Sequence, residues 1–78
     1  MEIHRLAKMA NEIGGFFAQI PDRAESINSI ATHLRNFWEP RMRRQIIEYA
    51  RAGGPELNPL VREAILTLEP PPALADRG

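Results

Sequence analysis

The sequence has no cysteine, which removes disulfides, thiolate metal sites and thiol nucleophiles together. Small extracellular domains usually need such staples, so the reducing cytoplasm is the expected home. Lysine is almost missing as well: Lys8 is the only one, and every other fixed positive charge is an arginine. No net charge remains, because 10 Lys and Arg face 10 Asp and Glu, and that argues against a general polyanion binder. Long apolar runs are also lacking. The first apolar cluster is broken by Glu2, His4, Arg5, Lys8 and Glu12, so it reads neither as a signal peptide nor as one of the roughly 20-residue spans a bilayer requires. The chain has 78 residues, enough for one domain with a thin core.

Catalytic groupings are scarce too. His4 and His33 are the only imidazoles; they fall on different expected helices, and neither belongs to a ligand pair one turn apart. Ser26, Ser29, Thr32 and Thr67 sit on no strand-to-helix turn that would expose a nucleophile. The carboxylates are scattered, with no pair set in an apolar pocket that would separate their protonation. Gly14–Gly15 and Gly53–Gly54 lack the lysine and strand context of a phosphate loop. No catalytic residue, metal ligand or cofactor site is expected on this chain.

What is present is helical periodicity. Ile3, Leu6, Ala10, Ile13 and Phe17 recur every three or four positions, one face of a helix. Gly14 and Gly15 interrupt it at a cost of about 1 kcal/mol each. Either they kink or end the helix, or they let another backbone approach closely. Pro21 stops this helix, and Asp22 with Glu25 forms a capping box for the next. Its stripe is Ile27, Ile30, Ala31, Leu34, Phe37 and Trp38. Pro40 forces Glu39 out of the helical region and can itself open a third helix. Met42, Ile46, Tyr49 and Ala50 mark that helix's buried side, and Gly53–Gly54 end it. Asn58–Pro59 starts a fourth helix, with Leu60, Val61, Ala64, Ile65 and Leu68 inward. The expectation is an all-α fold: a small compact or partly open bundle of about four short helices over residues 1–69. Residues 70–78, led by Pro70, Pro71 and Pro72, are expected to form a flexible tail.

One stretch is dense, from His33 through Arg35, Phe37, Trp38, Pro40, Arg41 and Arg43 to Arg44. A solvated charged face behind a core face accounts for much of it. A basic helix for phosphates is a second reading, diluted by Glu39 and Glu48. Arginine and aromatic residues are also the types enriched at interface centres. Phe16 is rotated by about 100° from Phe17, and Ile47 by the same angle from Ile46, and a small core cannot easily cover both of each pair. The expected partner-binding set is Gly14, Gly15, Phe16, Arg35, Phe37, Trp38, Pro40, Arg41, Arg43, Arg44 and Ile47. Trp38 is either the anchor of that surface or, with Phe37, part of the chain's own core, leaving only the arginines outward.

Three stretches resemble a known family, the delta subunit of NAD-dependent, molybdenum-containing formate dehydrogenase. Met9-Ala10-Asn11-Glu12-Ile13-Gly14-Gly15-Phe16-Phe17 is similar to its "MANxIGxFF". The run from Ile30 to Arg43 is similar to its "IAxHLRxFWxPRMR", and Gly53 to Val61 to its "GGxxLxPxV". Order and spacing agree over roughly residues 6–68; Pro55 departs from the commoner pattern. The resemblance implies a non-catalytic accessory subunit that binds the large subunit and stabilises the complex or assists its assembly. The implied complex carries molybdopterin guanine dinucleotide and iron–sulfur clusters on the large subunit. FMN and further clusters sit on its flavin and small iron–sulfur subunits, and NAD is the substrate. The rival expectation is a stand-alone nucleic-acid-binding regulator using the arginine-rich third helix.

Overall fold

The first helix, α1 (Ile3–Phe17), opens where Glu2 leaves the extended region and its carboxylate accepts the His4 N–H at 3.2 Å. It then runs through Gly14–Gly15 without a break. A Cβ on Gly14 would stand 2.1 Å from Val61 Cγ2, so the missing side chain gives room to another helix of the same chain. This is the close-approach reading of the glycine pair, fulfilled internally. The computed structural model describes residues 2–71. Of the expected tail, Pro70 is exposed and Pro71 buried, so Pro71 belongs to the packed body. Residues 72–78 lie outside the described ones.

Proline and cap chemistry set the remaining boundaries. Asp22 accepts the Ala24 N–H at 3.1 Å and opens α2 (Arg23–Phe37). Trp38 and Glu39 are extended, with ψ of 139° and 152°, as the residue before a proline must be. Pro40 is the first residue of α3 (Pro40–Arg51). That helix closes in a double reverse hydrogen bond, Gly54 N–H to Tyr49 O at 2.9 Å and Gly53 N–H to Ala50 O at 3.1 Å. Gly53 has φ 119° and Gly54 φ 49°, both in the region that side chains disfavour. Pro59 opens α4 (Pro59–Leu66).

The core draws on all four helices: Leu6 and Ala10, Ile30 and Leu34, Ile46, Ile47 and Ala50, then Val61 and Ile65, each no more than 1% exposed. Helix α1 touches the other three, and α3 touches both α1 and α4. That second contact corrects one expectation. Ile47 is not left over; both Ile46 and Ile47 are wholly buried, because a helix packed on two sides buries a wider stripe than one packed on a single side.

Ser26 is the buried polar exception at 1% exposure. Its hydroxyl lies 3.0 Å from Phe17 O and 3.2 Å from Ile20 O, serving carbonyls that the end of α1 leaves without helical donors. Ser26→Ala removes the shared donor and leaves Ile20 O without it, while Phe17 O keeps the Ile20 N–H at 3.1 Å, at an expected cost of about 1–3 kcal/mol. A urea titration followed by circular dichroism measures it, and an unchanged midpoint would show that water replaces the hydroxyl.

Candidate functional site

The residues expected at a partner surface separate into two groups. Phe16 is 70% exposed and Phe37 73% exposed, far beyond what a large apolar ring shows inside a core. Trp38 is only 6% exposed, which decides between anchor and core. The chain leaves the helix after Phe37, and Trp38, with its extended backbone, joins the main core. Phe37 and Trp38, neighbours in sequence, therefore serve opposite sides of the surface. Trp38, open between anchor and core, lies in the core, Ile47 is corrected from surface to core, and the space a Gly14 side chain would need is taken by Val61 from α4.

The arginines also divide. Arg43 donates from Nη1 to Arg35 O at 3.0 Å and to Trp38 O at 2.7 Å. It satisfies carbonyls at the C-terminal end of α2, where a cation is electrostatically favoured. That nitrogen is thus engaged inside the chain. Arg35 reaches back to Thr32 Oγ1 at 3.4 Å. Arg41 and Arg44 line a polar hollow with Glu39, Met42, Gln45 and Glu48, and both are engaged within the chain. Pro40 is half-buried at the start of α3.

On the α1–α2 face the exposed rings form a continuous row. Phe16 meets Phe17 edge-on, with centroids 5.1 Å apart and planes at 83°. Phe17 lies 6.1 Å from His33, and His33 lies 4.8 Å from Phe37. These are ordinary spacings for attractive ring pairs. The row borders an open groove of about 530 Å³ lined by Met9, Glu12, Ile13, Phe16, Phe17, His33 and Trp38. Glu12 is its only carboxylate. At full size a phenylalanine ring presents roughly 150–250 Å², so the two exposed rings hold about 200–350 Å² of uncovered apolar surface. Covering it would release about 5–9 kcal/mol before the opposing costs of association. The arrangement offers contact energy and shape.

Sequence reasoning missed Met9, Ile13 and His33 as members of this surface. Ile13 read as core because it shares the apolar period, Met9 lies off that period, and His33 was noted as a lone imidazole at the start of the dense stretch. Asn11 was missed altogether. Its Nδ2 donates to Glu56 O at 2.8 Å, and its Oδ1 accepts the Asn58 N–H at 2.9 Å. One amide thereby clamps the α3–α4 connection onto α1. The same connection is held by Tyr49, whose hydroxyl accepts the Glu56 N–H at 3.0 Å, and by a His4–Glu56 pair. Asn58 does not cap α4 with its side chain as expected; its backbone goes to Asn11 instead.

Among the described residues, no three His, Cys, Asp or Glu side chains stand where they could hold a metal ion. Among the described residues no helix is long and apolar enough to cross a membrane. A family model described as "NADH-dependant formate dehydrogenase delta subunit FdsD" matches residues 5–65. No curated protein and no solved structure matches the chain.

Proposed function

The chain belongs to the family of NADH-dependent formate dehydrogenase delta subunits, and from that membership we propose that it is a non-catalytic subunit that binds the large, molybdenum-bearing subunit and stabilises or helps assemble the complex. It works in the cytoplasm and carries no redox group. Molybdopterin guanine dinucleotide, iron–sulfur clusters and FMN are held by the other subunits, which pass electrons from formate to NAD. One observation carries the reading: the row of rings ending in Phe16 and Phe37, beside an apolar groove. Exposed aromatics next to a hollow are the usual anchors of protein contacts.

The test is co-expression of the other subunits with either the native chain or a Phe16→Ser, Phe37→Ser double variant. The variant is expected to lose about tenfold or more of its affinity for the large subunit, a change of about 1.4 kcal/mol or more. Its own melting temperature should hold or rise, since both rings are mostly in water. Formate-dependent NAD reduction by the preparation should fall to the level seen when the chain is omitted. Full co-purification of the double variant would overturn the assignment of this face.

A further inference from the structure

We propose that His4 and Glu56 form a proton-tightened clasp that holds the α3–α4 connection, and with it the start of α4, on α1. The clasp is independent of how the chain docks. Glu56 is its hub. The Glu56 N–H donates to the Tyr49 hydroxyl at 3.0 Å, its carbonyl accepts from Asn11 Nδ2 at 2.8 Å, and its carboxylate meets His4 Nδ1. All its polar groups thus lead to α1 or α3, although residue 56 itself belongs to no helix. Two residues on, the Asn58 N–H donates to Asn11 Oδ1 at 2.9 Å, and α4 then carries Val61 to the notch at Gly14.

The imidazole stands between two carboxylates. Nδ1 faces Glu56, and Nε2 lies 3.9 Å from Glu2 Oε1, an oxygen already held in place by the His4 N–H at 3.2 Å. A neutral imidazole has one N–H and one lone pair, so it satisfies one of those oxygens and turns the lone pair towards the other. The protonated ring has two N–H groups and a charge, and suits both. The other charged groups around it are Arg5, Lys8 and Glu12 on α1. Between about pH 6 and about pH 8, carboxylates, lysine and arginine ordinarily keep one charge state, and imidazole is the group that changes. The clasp is therefore tightest in mild acid and slackens as pH rises. The two side chains are 68% and 44% exposed, so water screens the pair and its effect is local. It alters how often the connection opens, not whether the chain folds.

The Glu56 and Asn58 amides report on the clasp directly, because their partners are the Tyr49 hydroxyl and the Asn11 side chain. Their exchange with water is followed by NMR in the native chain, His4→Gln and Glu56→Gln at about pH 6 and about pH 8, either side of the ordinary imidazole range. Each rate is divided by that of an unstructured peptide at the same pH. In the native chain both amides should be protected roughly two- to fivefold better at the lower pH, the effect of one exposed ion pair. Both variants should keep the native chain's high-pH protection at either pH. The Trp38 N–H, bonded to Leu34 O at 3.0 Å, should behave alike in all three chains. Equal protection at the two pH values in the native chain overturns the proposal. So does a pH dependence that survives in either variant, which assigns it to another group such as His33. A parallel change at Trp38 makes the effect global and overturns it too, and amides unprotected throughout show that the connection is not clasped to α1 at all.

Discussion

Trp38→Ala should remove a large share of the isolated chain's stability. A domain of this length holds about 4–12 kcal/mol in total, and truncating a buried tryptophan costs about 3–5 kcal/mol. Trp38 qualifies on two grounds. It is 6% exposed within the main core, and it stands at the joint where α2 ends and Arg43 binds its carbonyl. The neighbouring Phe37→Ala should change stability by no more than about 0.5 kcal/mol, as surface substitutions do. Thermal melts of the free chains distinguish the two. The expected fall for Trp38→Ala is about 12–40 °C, taking about 4–8 °C per kcal/mol for a domain this small. A fall of only a few degrees would mean that the indole is not a structural element. The contrast also guards the interpretation of binding data: lost co-purification in Trp38→Ala reports unfolding, while in Phe37→Ala it reports the surface.

The second large effect is expected at the glycine pair, where two identical substitutions one residue apart should have opposite signs. Gly14→Ala gains the helix propensity of alanine, about 1 kcal/mol, but places a Cβ 2.1 Å from Val61 Cγ2. Val61 is 1% exposed, and a β-branched side chain in a helix has one strongly favoured rotamer, so it cannot turn away at low cost. Either α4 shifts outward or the rotamer is strained, at about 1–3 kcal/mol or more for an overpacked site. The net effect is destabilising, and larger side chains at position 14 should prevent α4 from docking at all. Gly15→Ala gains the same propensity and meets nothing. The cleanest demonstration is a double-mutant cycle. Val61→Ala alone leaves a cavity and destabilises, yet in the Gly14→Ala background it relieves the clash, so the pair should be more stable than the sum of the single effects. Additive effects would show that α1 and α4 do not meet there.

How far these features could be read from the sequence depends on whether they are local. Each helix boundary is written in backbone chemistry within a few residues: Pro21 with Asp22, Glu39 with Pro40, Gly53 with Gly54, Asn58 with Pro59. Those signals act on φ, on missing N–H groups and on caps, and need no knowledge of the rest of the chain. The all-helical architecture followed from them. Facing was less legible. Ile46 and Ile47 cannot both lie on a narrow stripe, and only the second contact of α3 explains why both are buried. Phe37 and Trp38 were open to either reading, because the helix ends between them and periodicity no longer applies to Trp38. Gly14 demanded knowledge of Val61, 47 residues away, and the clamp of Asn11 on Asn58 spans the same distance. The candidate surface was half legible. Phe16 stood out as excess, but Phe37 read as part of the second helix's apolar stripe, and the groove beside the rings takes its walls from both α1 and α2, with Trp38 on its lining.

The uncovered row of rings has a consequence for the chain on its own. With as many acids as bases and an isoelectric point near 6.7, copies at neutral pH have almost no mutual repulsion to keep their sticky faces apart. Proteins near zero net charge are the least soluble. On the proposed docking, chain made in excess of its partner should clump, which light scattering of the lone chain across about pH 6–9 would measure. Moving the buffer a pH unit or two from neutrality, or adding a few acidic residues far from α1 and α2, should make the lone chain easier to handle without touching the exposed rings.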